Sequence, residues 1–392
     1  MTNMHFFQEF IERKNTNSVK WDAVKTLYKS DTELLPMWVA DMDFRPPTAV
    51  IEALQERITH GVFGYTQIPD STHQAIKDWY KNRQNFEIET EWITYSSGVV
   101  PSIGKTIQAF TEPGENVVVQ SPVYTPFFSM VKDNGRNVVN VPLHEADGKY
   151  SIDFEALEEA FKNDAKLFLL CSPHNPVGRV WTREELHRIG LLCVQYDVIL
   201  VSDEIHGDLV FEPHKQIPVA SISQEIANQT ITLIAPSKTF NLAGLQASAI
   251  ITPNKKLRSK LQKIDRSQGF FTLNLAGIAA MEAAYSHGEE WLTELLDYLH
   301  GNAELVKSFI RAELPELSME LPEATYLLWI DFRKLGLSDE EIMDRLIKKG
   351  KLALNDGKSF GEGGSGFMRM NIACPRDTVA EGLKRLKLAV RG

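Results

Sequence analysis

Ile231-Thr232-Leu233-Ile234-Ala235-Pro236-Ser237-Lys238-Thr239-Phe240-Asn241-Leu242-Ala243-Gly244 is the stretch that decides the fold. Its first five residues are apolar or β-branched without a break, the pattern of a strand buried on both faces. Proline, serine and lysine follow where such a strand must end. The same succession recurs at Leu167–Cys171, followed by Ser172-Pro173-His174-Asn175-Pro176-Val177-Gly178, and at Val198–Ser202, followed by Asp203-Glu204-Ile205-His206. Val117–Gln120, Val138–Val141 and Ser248–Thr252 read as further strands of the same kind. Between them lie helix signals, such as Thr182 with Glu185, a capping box opening a helix to Tyr196 that feeds the strand at Val198. This alternation predicts an α/β large domain whose mostly parallel sheet is covered by helices on both faces.

Beyond about residue 270 the texture changes. Long helical patterns (Asn274–Ser286, Glu289–Arg311) lead to an apolar strand at Tyr326–Ile330, a helix opened by Ser338 and Glu341, and a last helix from about Asp377. These residues predict a smaller α+β C-terminal domain. The apolar cluster Leu34–Ala40, followed by Asp41-Met42-Asp43-Phe44, reads as an arm. The expected organisation is an arm at 1–45, packed on the small domain and active site, a large domain at 46–285, and a small domain at 286–392.

Composition narrows the function. The 392 residues are 43% apolar with a formal charge of −10 and no dense basic run, so nucleic acid is not an expected partner. No apolar stretch reaches the ~20 residues that span a bilayer, and the N-terminus lacks an apolar signal core, which predicts a cytoplasmic protein without a membrane partner. Cys171, Cys193 and Cys374 form no CxxC pair, so neither a disulfide framework nor a metal site is expected.

Ligands of open parallel sheets collect at the carboxyl ends of the strands. Taken singly, Asn175-Pro176 reads as a turn, Asp203 as an ion-paired carboxylate and Lys238 as a surface lysine. Together they match the needs of pyridoxal 5′-phosphate: a lysine for its aldehyde, a carboxylate for its pyridine nitrogen, a donor for its phenolic oxygen and free N–H groups for its phosphate. Lys238, Asp203, Asn175 and the helix start at Ser96-Ser97-Gly98-Val99-Val100 supply one candidate each. Apolar neighbours around Lys238 also favour a free amine.

At these residues the chain resembles the fold-type I pyridoxal-phosphate enzymes, and more closely the class I/II aminotransferase superfamily: Asn175-Pro176-x-Gly178, Asp203 and Ser237-Lys238 stand in its order and spacing. Trp38-Val39-Ala40-Asp41-Met42-Asp43-Phe44 and Ser237–Gln246 look like its cystathionine β-lyase (C–S lyase) branch, typified by MalY and PatB. The resemblance covers essentially the whole chain. It implies that Lys238 carries the cofactor and moves the substrate Cα proton, that Tyr124 stacks on the ring with a part in catalysis, and that Asp203 and Asn175 meet the ring nitrogen and phenolic oxygen. Gly98, Val99, Val100 and Ser237 would hold the phosphate, and His206 would lie beside the cofactor. Tyr65 would reach the phosphate of a neighbouring subunit, which implies a homodimer with shared sites. Arg369 would grip the substrate carboxylate, with Trp38, Val39, Ala40, Asn175 and Tyr326 around it.

His206 and Gln246 stand where many relatives in the wider superfamily carry tyrosine and arginine; both agree with the lyase branch. The Gly361–Gly366 stretch reads as a mobile loop beside the substrate entrance. The function implied is a C–S β-lyase acting on cystathionine or another cysteine thioether. An aminotransferase using the same residues, or a cofactor-binding regulatory protein acting by contact, remains open at this stage.

Overall fold

The apolar runs become strands of one seven-stranded sheet: β1 (Ile93–Ser96), β2 (Asn116–Val119), β3 (Asn137–Asn140), β4 (Ala165–Cys171), β5 (Ile199–Asp203), β6 (Thr230–Ile234) and β7 (Ser248–Ile251), in the order β1-β7-β6-β5-β4-β2-β3. The computed structural model describes residues 3–392. Strands β2 to β6 are parallel to one another, whereas β7 runs antiparallel to both β6 and β1. The reversal has a local cause. A parallel return needs a crossover long enough for a helix, and the residues after β6 are used by a one-turn helix at Pro236–Thr239 and a 3-10 turn at Ala243–Leu245. Strand β1 is an addition to the expected set.

Alternate residues of each strand face opposite sides, and two separate cores result. Val117, Val119, Leu167 and Leu169 pack with Ile103 and Ile107, while Val118, Phe168 and Leu170 pack with Leu186 and Ile189. The helices that supply these partners, among those needed below, are α1 (Asp70–Gln84), α2 (Val99–Phe110), α3 (Arg183–Gln195), α4 (Pro236–Thr239), α5 (Leu275–His287), α6 (Glu289–Glu313), α7 (Asp339–Arg345) and α8 (Arg376–Arg391). Thus α2 covers one face and α3 the other. The Thr182/Glu185 and Ser338/Glu341 capping boxes open α3 and α7 as the sequence predicts.

After α6 the chain forms a three-stranded antiparallel sheet, β8 (Leu327–Asp331), β9 (Asn355–Asp356) and β10 (Phe367–Asn371), in the order β8-β10-β9. Leu328, Met368 and Met370 of this sheet share a buried cluster with Leu299 and Val306 of α6 and with Leu383 and Leu386 of α8. The N-terminal segment joins here: Leu35–Pro36 pairs in parallel with Leu352–Ala353, and Asp43 N–H donates to the Ala373 carbonyl. Among the described residues no helix is long and apolar enough to cross a membrane.

The glycine-rich stretch is held in place rather than free. Ser365 Oγ and Gly366 N–H both donate to the Asp339 carboxylate (2.6 and 2.7 Å), and a Cβ at Gly357 would stand 2.2 Å from the Gly364 carbonyl. The glycines here allow close backbone approach.

Candidate active site

The carboxyl ends of β4, β5 and β6 open into a cavity of about 230 Å³ whose wall includes Lys238, Asp203, Asn175, Tyr124 and His206. Each is placed by a strand ending. Asp203 is the last residue of β5, in register with Cys171 of β4, and Lys238 sits on α4 directly beyond β6. Asn175 follows β4, and its carbonyl accepts from Tyr124 N–H at 3.1 Å, joining the two loops.

Burial sets the charge states. It brings the Lys238 ammonium down to about 8, with Arg369 adding to the effect and Asp41 and Asp203 opposing it. It pushes the Asp203 carboxyl up to about 7, against the Ile205 N–H donated at 3.1 Å and the nearby Lys238. The His206 ring drops to about 3 for the same reason, so it is neutral, and its buried Nδ1 has no partner. Burial also raises the Tyr124 phenol, so it keeps its proton at neutral pH.

Arg369, 4% exposed, lies one bond behind this wall. Its Nη1 donates to Asn175 Oδ1 (3.0 Å), and its Nη2 donates to the Trp38 carbonyl (3.0 Å) and Asn355 Oδ1 (2.6 Å). The guanidinium stands 4.9 Å from the Phe360 ring centre, and its Nε is buried without a partner. Such a group is fixed in orientation and still has donors to offer.

The arm supplies a row of acceptors. The carbonyls of four consecutive residues, Trp38, Val39, Ala40 and Asp41, accept from Arg369, Asn371, Lys238 and again Asn371. The Ala40 carbonyl takes Lys238 Nζ at 2.6 Å and Tyr326 Oη at 3.0 Å. Behind this row, Arg13 bridges Asp41 and Asp43 (2.7 Å each), and the buried Lys20 bonds Asp43 at 2.8 Å. Asn241 clasps the same segment through Met42 N–H, Met42 O and Phe44 O. The Trp38 indole donates to the Lys20 carbonyl and packs on Tyr28; among the described residues of the arm, only Ala40 lines the cavity itself.

Gly98, Val99, Val100 and Ser237 also line the cavity, where α2 begins with no side-chain cap on its first N–H groups. Those donors, with the Ser237 hydroxyl, suit an anion. Gln246 lines the cavity as well. The structure does not bring Tyr65 to the cavity within one chain, since its side chain is fully exposed. Sequence reasoning leaves out Asn355, Asn371, Asn241 and Cys171. Asn371 could have been found, because it stands two residues from Arg369 on a strand and shares its face.

The sequence pattern of the aminotransferase class I and II family matches residues 32–386. The chain belongs to this family. Among its relatives, cystathionine beta-lyase PatB of Bacillus subtilis is 49% identical, covering 98% of this chain and 99% of its own. A PLP-bound putative aminotransferase from Clostridium difficile superposes with a TM-score of 0.96 at 45% identity, over 98% of this chain and 99% of its own. Cystalysin from Treponema denticola, whose structure contains pyridoxal 5′-phosphate, gives 0.95 at 38% identity over 98% of both chains.

The residues of this aminotransferase-family site fit that cofactor. A lowered amine, a buried carboxylate with no cation bonded to it, an unpartnered buried imidazole nitrogen and an uncapped helix start face one cavity. These are the groups that an aldehyde, a ring nitrogen, a polar ring substituent and a phosphate require.

Proposed function

We propose that this chain is a pyridoxal-phosphate-dependent carbon–sulfur β-lyase that converts L-cystathionine, or a related cysteine thioether, to pyruvate, ammonia and a thiol. The observation that carries the reading is the convergence of Lys238, Asp203 and Asn175 on one cavity, with Arg369 bonded to Asn175 directly behind its wall, in a chain similar along its whole length to a cystathionine β-lyase.

Lys238 would hold the cofactor's aldehyde carbon, Asp203 its ring nitrogen, Asn175 its phenolic oxygen, Tyr124 the ring face, and the start of α2 with Ser237 its phosphate. His206 would lie beside the ring. When bound, the cofactor supplies an electron sink for negative charge at the substrate Cα. Arg369 binds the substrate carboxylate through the N–H donors its three contacts leave free and so orients the Cα–H bond. Trp38, Val39 and Ala40 fix that guanidinium and the lysine through their carbonyls, and Tyr326 steadies the Ala40 carbonyl from the other side. Lys238, displaced from the aldehyde carbon by the substrate's own amino group, would then be free to take the proton from Cα. The electrons left at Cα then expel the thiolate from Cβ; the released aminoacrylate hydrolyses to pyruvate and ammonia.

We further place the enzyme in a homodimer in which Tyr65 serves the partner's phosphate end. Supporting this, Val62, Phe63, Tyr65 and Phe271 are large side chains left exposed. Light scattering at a monomer mass would count against it. Three buried free thiols suit the cytoplasm as the proposed compartment.

The test is to supply cystathionine with no keto acid. Pyruvate and homocysteine in equal amounts support the lyase; amino-group transfer that strictly requires a keto acid would make the protein an aminotransferase instead.

A further inference from the structure

Beyond Asp203, its loop holds two more buried carboxylates, Glu204 and Asp208, which the chemistry above leaves unused; Glu204 is bonded to Ser202 and Val219, whereas Asp208 reaches the residue beside Lys238. Asp208 lies outside the cavity wall and is 5% exposed. Its Oδ1 accepts from Trp79 Nε1 (3.0 Å) and Gln84 Nε2 (3.4 Å), with Arg83 Nε at 3.7 Å, all from α1. Its Oδ2 accepts from the hydroxyl of Thr239 at 2.9 Å. Thr239 is the residue immediately after Lys238, and it is wholly buried.

Both segments joined by this bond matter to the site. From Asp203 to Asp208 the loop is closed by Ile205 N–H to Asp203 Oδ1 (3.1 Å), Gly207 N–H to the Glu204 carbonyl (2.8 Å) and Leu209 N–H to the His206 carbonyl (2.9 Å). Asp208 therefore moves with Asp203. On the other side, α4 is a single turn, too short to be stable or oriented on its own. Phe240 seals its end by packing on Trp79 (5.4 Å between ring centres), but apolar contact is non-directional. Asn241 ties the next residues to the arm. The Thr239 hydroxyl is what ties the turn to the Asp203 loop.

We infer that Asp208 is a positioning residue: by holding Thr239 Oγ1 it fixes the rotation of α4, and so the placement of the Lys238 amine relative to Asp203. The inference rests on Lys238 being the reactive amine of the proposed function. A carboxylate suits the position because every group facing it is a donor: an indole N–H, an amide NH₂, a hydroxyl and a guanidinium. An isosteric amide has only one oxygen: aimed at Trp79, Gln84 and Arg83, it would present NH₂ to Thr239, whose hydroxyl could then only accept and whose own proton would lose its partner.

The experiment compares Thr239→Val, Thr239→Ser and Asp208→Asn with the wild type. Thr239→Val keeps shape and removes only the hydroxyl. In the holoenzyme, kcat for pyruvate formation should fall at least about tenfold in Thr239→Val and Asp208→Asn, since an ångström of misplacement at a reacting group can cost about a hundredfold. KM should stay within about twofold, and Thr239→Ser should restore kcat. The second reading needs no turnover: in the full chain freed of cofactor, the pH midpoint for modification of Lys238 by an amine reagent, followed by peptide mass spectrometry, should move up by about half a unit or more toward the ordinary lysine range in Thr239→Val and return in Thr239→Ser. A Thr239→Val protein with wild-type kcat, or one whose lysine midpoint does not move, overturns the inference. If Asp208→Asn does not fold, the valine and serine variants decide alone. A wild type that makes no pyruvate from any cysteine thioether defeats the proposed reaction, and the lysine midpoints still decide the role of Asp208.

Discussion

Arg369→Lys keeps the positive charge and loses the fork, which makes it a sharp test of how the substrate carboxylate is held. In the structure three N–H groups of Arg369 are already committed, to Asn175 Oδ1, the Trp38 carbonyl and Asn355 Oδ1. A guanidinium has five, so two remain for a carboxylate. A lysine ammonium has three donors in all; satisfying Asn175, Asn355 and Trp38 would leave none, and turning to the substrate would strand a buried amide oxygen. Five donors become three, so however they are shared the carboxylate loses at least one charge-assisted hydrogen bond, worth about 1.5–3 kcal/mol. That corresponds to a fall in kcat/KM of roughly 10- to 150-fold. Because the same contact orients the Cα–H bond, KM should rise and kcat should fall together. The assay is steady-state pyruvate formation from L-cystathionine, with a thioether lacking the carboxylate as control. The control should react slowly and equally with both proteins. A variant within about twofold of wild type on cystathionine, or one equally impaired on the control, would refute the reasoning.

Lys238→Ala should lower pyruvate formation by at least about a hundredfold, the scale of a lost general base, as measured by the same assay at saturating cofactor. His174 gives a pH signature of stability. Its Nε2 donates to the Pro122 carbonyl at 2.9 Å, its Nδ1 is buried without a partner, and burial drops the ring to about 4. The unfolded chain therefore takes up a proton below about pH 6.5 that the folded chain refuses until about pH 4, so stability falls as pH falls through that window. His174→Gln should flatten the fall by about 1.4 kcal/mol per pH unit within it, read from urea midpoints between pH 4 and 7. Gly357→Ala should destabilise by at least about 2 kcal/mol, because its new methyl would meet the Gly364 and Phe367 carbonyls at 2.2 and 2.3 Å; unchanged urea unfolding would contradict that packing.

Lys238, Asp203 and Asn175 are legible in the sequence because each is among the first polar residues after a buried apolar run, and such runs mark strands whatever the tertiary context. The direction of β7 is not legible: an apolar run reads the same forwards and backwards, and only the short link through Ala235–Ala247 decides it. The surroundings of Arg369 are hidden for a related reason. Asn355 faces it across β9 and β10, and that register is set by the packing of Phe360 and the Gly357–Gly364 contact, not by spacing along the chain. The glycines at 361–366 read as freedom but serve close packing. Asp208 looks like any loop carboxylate until folding brings α1 and α4 against it. The exposed side chains around Tyr65 have no explanation within a single copy.

The row of carbonyls from Trp38 to Asp41 has a consequence for how this chain tolerates length changes. Each carbonyl is matched to a fixed donor, Asn371 taking two of the four, so removing one residue between 38 and 42 would offset every pairing at once and turn successive oxygens the wrong way. The segment upstream, at 14–19, carries no such correspondence with the cavity and could lengthen or shorten while Arg13 still reaches Asp41. Insertions and deletions in a set of functional variants of this gene should therefore accumulate on one side of Lys20 and be absent on the other.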